Sequence, residues 1–283
     1  MKMNKKYMKG IDIIIPVHKY NEEVSFLLKR CLESIKKMSE HTKKNNIKLD
    51  IQIVGCEELD SDVIYNLIEW TTDFNSFNVT KNDTGMLDFC SQINYAVNNV
   101  CKNDYFMIVE FDDIVTPKWI NMCLPYINNR TKCPLFLPLV ETYDIKNPSI
   151  PINYINEIAW SSSFSENELG VLTNSNLMDY CNFSITGAIF KKNAFIKCGG
   201  LKSSIKLSFG YELLLRITNM FDEIFVVPKV GYYHFINRDD SLTSEYHKTM
   251  SQEEGAWWIQ LATEEYQYRK DRNKVYVPNE DEK

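Results

Sequence analysis

The residues with the clearest chemical potential lie at the end of one apolar run. Tyr105-Phe-Met-Ile-Val-Glu-Phe-Asp-Asp113 passes from a hydrophobic strand straight into Glu110, Asp112 and Asp113. Alternation along a strand places Glu110 and Asp112 on the same side, with Asp113 opening the turn. Carboxylates crowded at a strand end repel one another unless a cation lies between them. Their hard oxygens suit Mg²⁺ or Mn²⁺, ions that commonly bridge to phosphate. An acidic turn whose aspartates cap the next helix accounts for the same residues equally well. On the pattern alone, both readings stand.

The elements that must position these acids follow a regular order. Ile11–Val17, Leu49–Val54, Phe77–Thr80 and Tyr105–Phe111 read as short apolar strands. Between them, Glu22–Met38, Glu58–Trp70 and Met86–Val100 carry apolar residues at helical spacing. This alternation predicts a doubly wound, mostly parallel α/β sheet, with ligands beyond the carboxyl ends of the strands. The loops His18–Asn21, Cys56–Asp60, Asn82–Gly85 and Glu110–Asp113 therefore face the ligand. In the second half, Pro134–Val140, Ser184–Phe190 and Glu223–Pro228 read as strands. Asn193–Cys198, closed by Gly199-Gly200, and Phe209–Met220 read as helices. Trp160 to Ser165 is a polar loop with embedded aromatics. Ser251 and Glu254 form a capping-box pattern opening a tail helix with Trp257, Trp258 and Tyr266, the two tryptophans reading as core or interface anchors.

Composition bounds the function classes. The 283 residues are 44% hydrophobic and 25% charged, which excludes disorder, collagen and coiled coil as whole-chain descriptions. Lysine and arginine total 32 against 38 acids, a formal charge of −6, so the chain is not built around a general basic nucleic-acid surface. Its eight cysteines are scattered, without a C-x-x-C pair, and read as buried reduced thiols of a cytoplasmic protein. No segment approaches the ~18 apolar residues of a membrane span. The apolar run near the N-terminus is broken by Asp12 and stops at Pro16, unlike a signal peptide. A soluble protein without a membrane span is expected.

Several segments, in order, carry a resemblance. Ile11–Val17 with Pro16, followed by Asn21 and Glu22, resembles the opening of family 2 glycosyltransferases of the GT-A fold. Glu110-Phe-Asp-Asp113 resembles their metal motif, and Asn82 and Gly85 with Gln92-Ile-Asn94 resemble the segment between. Thr186-Gly-Ala-Ile-Phe190 with Phe195 and Gly199-Gly200-Leu201 resembles the second-half signature. Tyr211–Arg216 resembles the helix near the catalytic base, and Gly231-Tyr-Tyr-His234 with Arg238 and Ser241 the closing loop. The matches span about residues 11 to 242.

The resemblance implies a single GT-A type, Rossmann-like α/β domain with a C-terminal helical tail. Residues 10–127 would form the nucleotide-sugar half, 128–245 the acceptor half and 246–283 the helical extension. It implies inverting transfer of a sugar from a nucleoside diphosphate, UDP by expectation, to an acceptor hydroxyl, with Mn²⁺ or Mg²⁺ as cofactor. Asp112, Asp113 and His234 would hold the metal. Pro16, His18, Asn21, Glu57, Asn82, Glu110, Asp112 and Arg238 would bind the donor, and Trp160, Thr186 and Gly187 the acceptor. That acceptor is a glycan, protein, small molecule or modified nucleic-acid base. One departure matters: the family's Glu-Asp pair, whose aspartate is the general base, falls at Phe209-Gly210. Glu212 and, more distantly, Asp179 are the remaining candidates for that role. The alternative is a catalytically inactive nucleotide-sugar or glycan-binding module of the same fold.

Overall fold

The structure, a computed structural model, describes residues 8–55, 59, 64, 66–67, 77–86, 88–164, 168–239 and 241–271. Strand β1 (Gly10–Val17) is wholly buried and pairs in parallel with β2 (Lys48–Gly55) on one side and β4 (Tyr105–Ile108) on the other. Strand β3 (Phe77–Asp83) continues the parallel set beyond β2. The sheet runs β3-β2-β1-β4-β9-β6-β10-β5, with β5 (Ile114–Val115), β6 (Leu135–Asp144), β9 (Ile189–Lys191) and β10 (Glu223–Ile236). Strands β6 and β10 are parallel, and antiparallel β9 joins them to β4. β7 (Asn153–Ile155) and β8 (Val171–Thr173) add antiparallel edges to β6 and β10. The chain winds outward from β1 to β3 and returns to the other side of β1 as β4. The switch point between β1 and β4 is where such sheets open a ligand crevice.

Asp12 looks out of place in a wholly buried strand, yet it is satisfied. One carboxylate oxygen accepts the Lys102 and Asn103 backbone N–H groups at 3.0 and 2.8 Å and the Asn103 amide at 3.0 Å. A buried charge persists only with such partners.

Helices cover both faces. They are α1 (Glu22–Thr42), α2 (Phe89–Tyr95, running into a π turn at Ala96–Val100), α3 (Trp119–Asn129), α4 (Asn174–Asp179) and α5 (Lys192–Lys197). They continue with α6 (Phe209–Phe221), α7 (Leu242–Thr249) and α8 (Gln252–Asp271). One core packs α1 and α3 against β1, β2, β6 and β10, and the other packs α2, α4 and α6 on the opposite face.

Several boundaries differ from expectation for local reasons. Helix α2 starts at Phe89 because the Asp88 carboxylate caps it, accepting Ser91 N–H at 2.8 Å. The strand expected to stop at Pro228 runs to Ile236, because a register shift between Val226 and Val230 removes the ladder position proline could not fill. The strand expected from Ser184 begins only at Ile189, since Asn156 holds 184 in a turn. Helix α3, with Pro125 inside it, was not anticipated. The helix expected over Glu58–Trp70 lies mostly outside the described residues. At α5, Gly199 and Gly200 take positive φ of 80° and 70° and close the helix as anticipated. Ser251 accepts Glu254 N–H at 3.1 Å at the start of α8, where Trp258 is buried and Trp257 is 49% exposed. Among the described residues no helix is long and apolar enough to cross a membrane.

Candidate functional site

The carboxyl ends of β1, β4 and β10 converge on a cavity of about 230 Å³ at the switch point. Pro16 and His18 come from the end of β1, Glu110, Phe111 and Asp112 from the turn after β4, and His234 to Arg238 from the end of β10. Ser241 and Ser244, at the start of α7, complete the far wall.

The acid turn is not the strand extension that alternation implies. Ladder pairing of β4 stops at Ile108, and Asp113 N–H bonds to Glu110 C=O at 3.1 Å. That turn brings Glu110 and Asp113 together, while Asp112, like Glu110, lines the cavity. Glu110, Asp113 and His234 each offer a ligand atom within 4.8 Å of the others. Asp112 instead pairs with Arg238 at 3.0 Å. Helix α3 begins after Lys118 with no side-chain cap, so the aspartates do not serve as its cap.

Asp113 is fully buried, and both its oxygens are used: one accepts Phe235 N–H at 2.8 Å, the other meets His234 Nδ1 at 2.9 Å. A carboxylate on one imidazole nitrogen is the device that fixes the ring and tautomer of a metal-binding histidine. Burial and the Asp113 charge push the Glu110 carboxyl up to about 8, with His234 and Arg238 working against them. Burial and Asp113 likewise raise Asp112 to about 6, although Arg238 favours its charge. Burial acts to lower His234, but Asp113, through charge and hydrogen bond, with Glu110 and Asp112, outweighs it and raises the ring to about 10. Burial, followed by the crowding of the carboxylates, thus holds a proton on Glu110, and the carboxylates hold one on His234.

Arg30, Trp119 and Tyr232, none of them among the expected site residues, support this arrangement. Arg30 of α1 donates to the Asp112 carbonyl and stacks 4.2 Å over the Phe235 ring. Tyr232, fully buried, accepts the Glu110 N–H on its hydroxyl at 2.9 Å, and its ring lies against Gly187. Trp119 Nε1 donates to Gly187 C=O at 2.8 Å. The only sequence signal for Arg30 is a cation beside the apolar stripe of α1, and for Tyr232 its place before His234. Gly187 has φ +70°, and an added Cβ would sit 2.5 Å from the Tyr232 ring. Gly187→Ala is therefore expected to destabilise the fold by about 2–4 kcal/mol through backbone strain and overpacking. Urea denaturation measures this, and an unchanged midpoint would contradict it.

The other expected site residues fall in several places. Asn21 is exposed and caps α1, accepting Val24 N–H at 2.8 Å. Asn82 donates to the Gln52 side chain at 3.3 Å. Glu57 lies outside the described residues. Thr186 is buried and shares a 2.5 Å hydroxyl contact with Ser184. Trp160 is half-buried, donating to Val226 C=O at 3.0 Å and packing edge-on against Phe225. Asp179 is exposed at the end of α4. Glu212, 1% exposed, does not line the cavity. Its carboxylate is held by Arg216 at 2.7 and 2.6 Å and by Lys202 at 2.9 Å. The expectation of a general base there meets a carboxylate already occupied by two cations.

The second-half signature has a packing reason. Asn94 of α2 accepts Leu201 N–H at 2.8 Å and donates to its carbonyl at 2.7 Å. A Cβ on Gly200 would lie 2.4 Å from the Asn94 oxygen. Helix α2 and the turn after α5 are clasped there.

No protein-family model matches the sequence, and no curated protein matches it. Solved structures do match in fold. Residues 1–349 of S. aureus TarS in complex with UDP-GlcNAc superpose with a TM-score of 0.61 at 14% identity, over 83% of this chain and 61% of that one. GalNAc-T7 with UDP, GalNAc and Mn²⁺ gives 0.60 at 11% identity, over 84% and 46%. The mannosyltransferase PcManGT from Pyrobaculum calidifontis with GDP-Man and Mn²⁺ gives 0.54 at 12% identity, over 82% and 58%. The chain thus spans less than two thirds of each of these proteins. From the sheet order to the crevice at its switch point, the fold of this chain is the GT-A fold of glycosyltransferases.

Proposed function

We propose that the chain is a glycosyltransferase that moves a sugar from a nucleoside diphosphate, UDP by preference, to an acceptor hydroxyl with inversion. The carrying observation is the Glu110–Asp113–His234 group beside Arg238 at the switch-point cavity. Two carboxylates and an imidazole fit Mn²⁺, and less closely the all-oxygen preference of Mg²⁺. Glu110, Asp113 and His234 would hold the ion, with Asp112 beside them. The ion, when bound, supplies positive charge to the departing diphosphate.

This chain's own groups do the rest. Arg238, held over the Phe111 ring at 4.9 Å, is placed to give a phosphate oxygen charge-assisted hydrogen bonds. Tyr232 and Arg30 fix the backbone of the acid turn, so the carboxylates need no reorganisation when the donor arrives. Pro16 and His18 form the wall on which the nucleoside half of the donor would lie. Support for a nucleotide-sugar donor comes from the fold neighbours, whose structures hold UDP-GlcNAc, UDP or GDP-Man.

The test is incubation with Mn²⁺ and a panel of nucleotide sugars, following release of nucleoside diphosphate. Turnover that needs the metal and a particular donor supports the assignment; absence of turnover together with absence of donor binding overturns it. A second reading, a nucleotide-sugar-binding module without turnover, is favoured by one observation: Glu212 is sequestered by Arg216 and Lys202. Tight donor binding with no release under the same conditions distinguishes it.

Metal binding should also depend on pH. Glu110 and His234 carry protons below about 8 and about 10, and both must shed them to act as ligands. Apparent Mn²⁺ affinity therefore rises as pH increases from about 6 to about 8, with protons released on binding. Calorimetry in buffers of different ionisation enthalpy measures this; an affinity flat across that range contradicts it.

A further inference from the structure

A second and larger recess lies away from the acid turn. It is an open groove of about 740 Å³ over the β6–β7 edge, floored by Leu139 and Pro228. Three aromatic side chains line it: Tyr154 of β7, 42% exposed, and the half-buried Trp160 and Tyr180. Asn153, Glu157 and Ser161 alternate with these rings. No lysine or arginine is among its described lining residues, and Glu157 is its one charge.

We propose that this groove binds a neutral carbohydrate chain, the acceptor of the reaction; its role as acceptor site rests on the glycosyltransferase reading above. Aromatic faces take the apolar C–H face of a sugar ring, while amide, carboxylate and hydroxyl groups between them take its hydroxyls. The volume lies within the range of small-ligand sites. A phosphate-bearing or nucleic-acid acceptor would want cations here, and the one carboxylate repels it.

The groove is tied mechanically to the donor cavity. Asn156, buried and with φ of 71°, stands in the groove wall. Its amide donates to Pro138 C=O at 2.8 Å and to Ser184 C=O at 3.1 Å, and its oxygen accepts Ser184 N–H at 2.9 Å. From Ser184 the chain passes through Thr186 to Gly187, whose N–H bonds to Ile108 C=O at 3.0 Å and which packs against Tyr232. Tyr232 in turn holds Glu110. One continuous rigid path therefore runs from the groove wall to the acid turn.

The experiment titrates the full chain, without donor or metal, with short neutral oligosaccharides of glucose, galactose and N-acetylglucosamine, read by ligand-observed NMR. Weak binding is expected, with Tyr154→Ala lowering affinity by about tenfold and Tyr154→Phe retaining it. Tyr154 and Asn153 are exposed, so their alanine variants keep the fold, which circular dichroism verifies. Binding of none of these sugars, binding indifferent to Tyr154→Ala, or binding of oligonucleotides in their place overturns the proposal. UDP and Mn²⁺ titrations of the unaltered chain report separately on the donor site. Loss of that binding with sugar binding intact removes the transferase reading and leaves the groove.

Discussion

Asp113→Asn is expected to weaken Mn²⁺ binding by about a hundredfold and to slow nucleoside-diphosphate release by about a hundredfold to thousandfold. Asparagine keeps the volume of the side chain and its acceptor for Phe235 N–H, so the end of β10 stays in place. What is lost is the charge that orients His234 and contributes to the cation's cradle. Loss of that charge also lets the imidazole shed its proton more readily, which alone would favour metal binding. The observed sign therefore decides between two effects: removal of a ligand and removal of a competitor proton. Ligand loss wins in magnitude, because a carboxylate cannot be replaced by an amide without forfeiting both Coulomb attraction and orientation. Titration calorimetry with Mn²⁺ and a diphosphate-release assay read the two quantities. Affinity and rate within a few-fold of the parent chain would remove Asp113 from the metal site. His234→Ala, which leaves Asp113 bonded to Phe235, gives the same loss by a separate route if the assignment holds.

The second large effect concerns Glu212. Arg216 and Glu212 are one helical turn apart on α6, both buried, with Arg216 also donating to the Cys198 and Gly200 carbonyls. Arg216→Met is expected to cost about 3–5 kcal/mol, because it leaves a buried carboxylate short of its bidentate partner and two carbonyls without a donor. Lys202, at 2.9 Å, keeps part of the compensation and places the value toward the low end. Adding Glu212→Leu to Arg216→Met should recover part of the loss, since the uncompensated charge goes with it. Thermal or urea denaturation of the single and double variants measures this; a double variant no more stable than the single one would contradict it. The same pair separates a brace from a base. A general base removed by Glu212→Gln lowers turnover by about a hundredfold to ten-thousandfold. A brace loses stability and keeps turnover within about tenfold. The two cations on Glu212 predict the second outcome.

The sequence carried the parallel half of the sheet. β1 is apolar except for Asp12, so both of its faces had to be covered, and the alternating strands and helices that follow leave little choice of topology. The acid turn was legible for the same reason: carboxylates straight after a buried strand must lie at its exposed carboxyl end. The second half was less legible. β10 crosses a register shift at Pro228, and the 184–188 turn is set by Asn156, a residue some thirty positions away in the chain. Neither leaves a local pattern.

The strand pattern pointed to His18, Glu110, Asp112 and Asp113, and the family resemblance to Pro16, His234 and Arg238; of these, all but the buried Asp113 line the crevice. Tertiary structure alone decided how they are paired. Strand alternation joins Glu110 to Asp112, but the ladder ends at Ile108, and a turn closed by Asp113 N–H joins Glu110 to Asp113. Asp112 is left to Arg238 from the end of β10, and Glu212 is enclosed by Arg216 and Lys202. A sequence fixes the supply of charged groups, whereas their partners depend on which distant strands and helices arrive within hydrogen-bond reach, and on the burial that makes an unpaired charge too costly to leave.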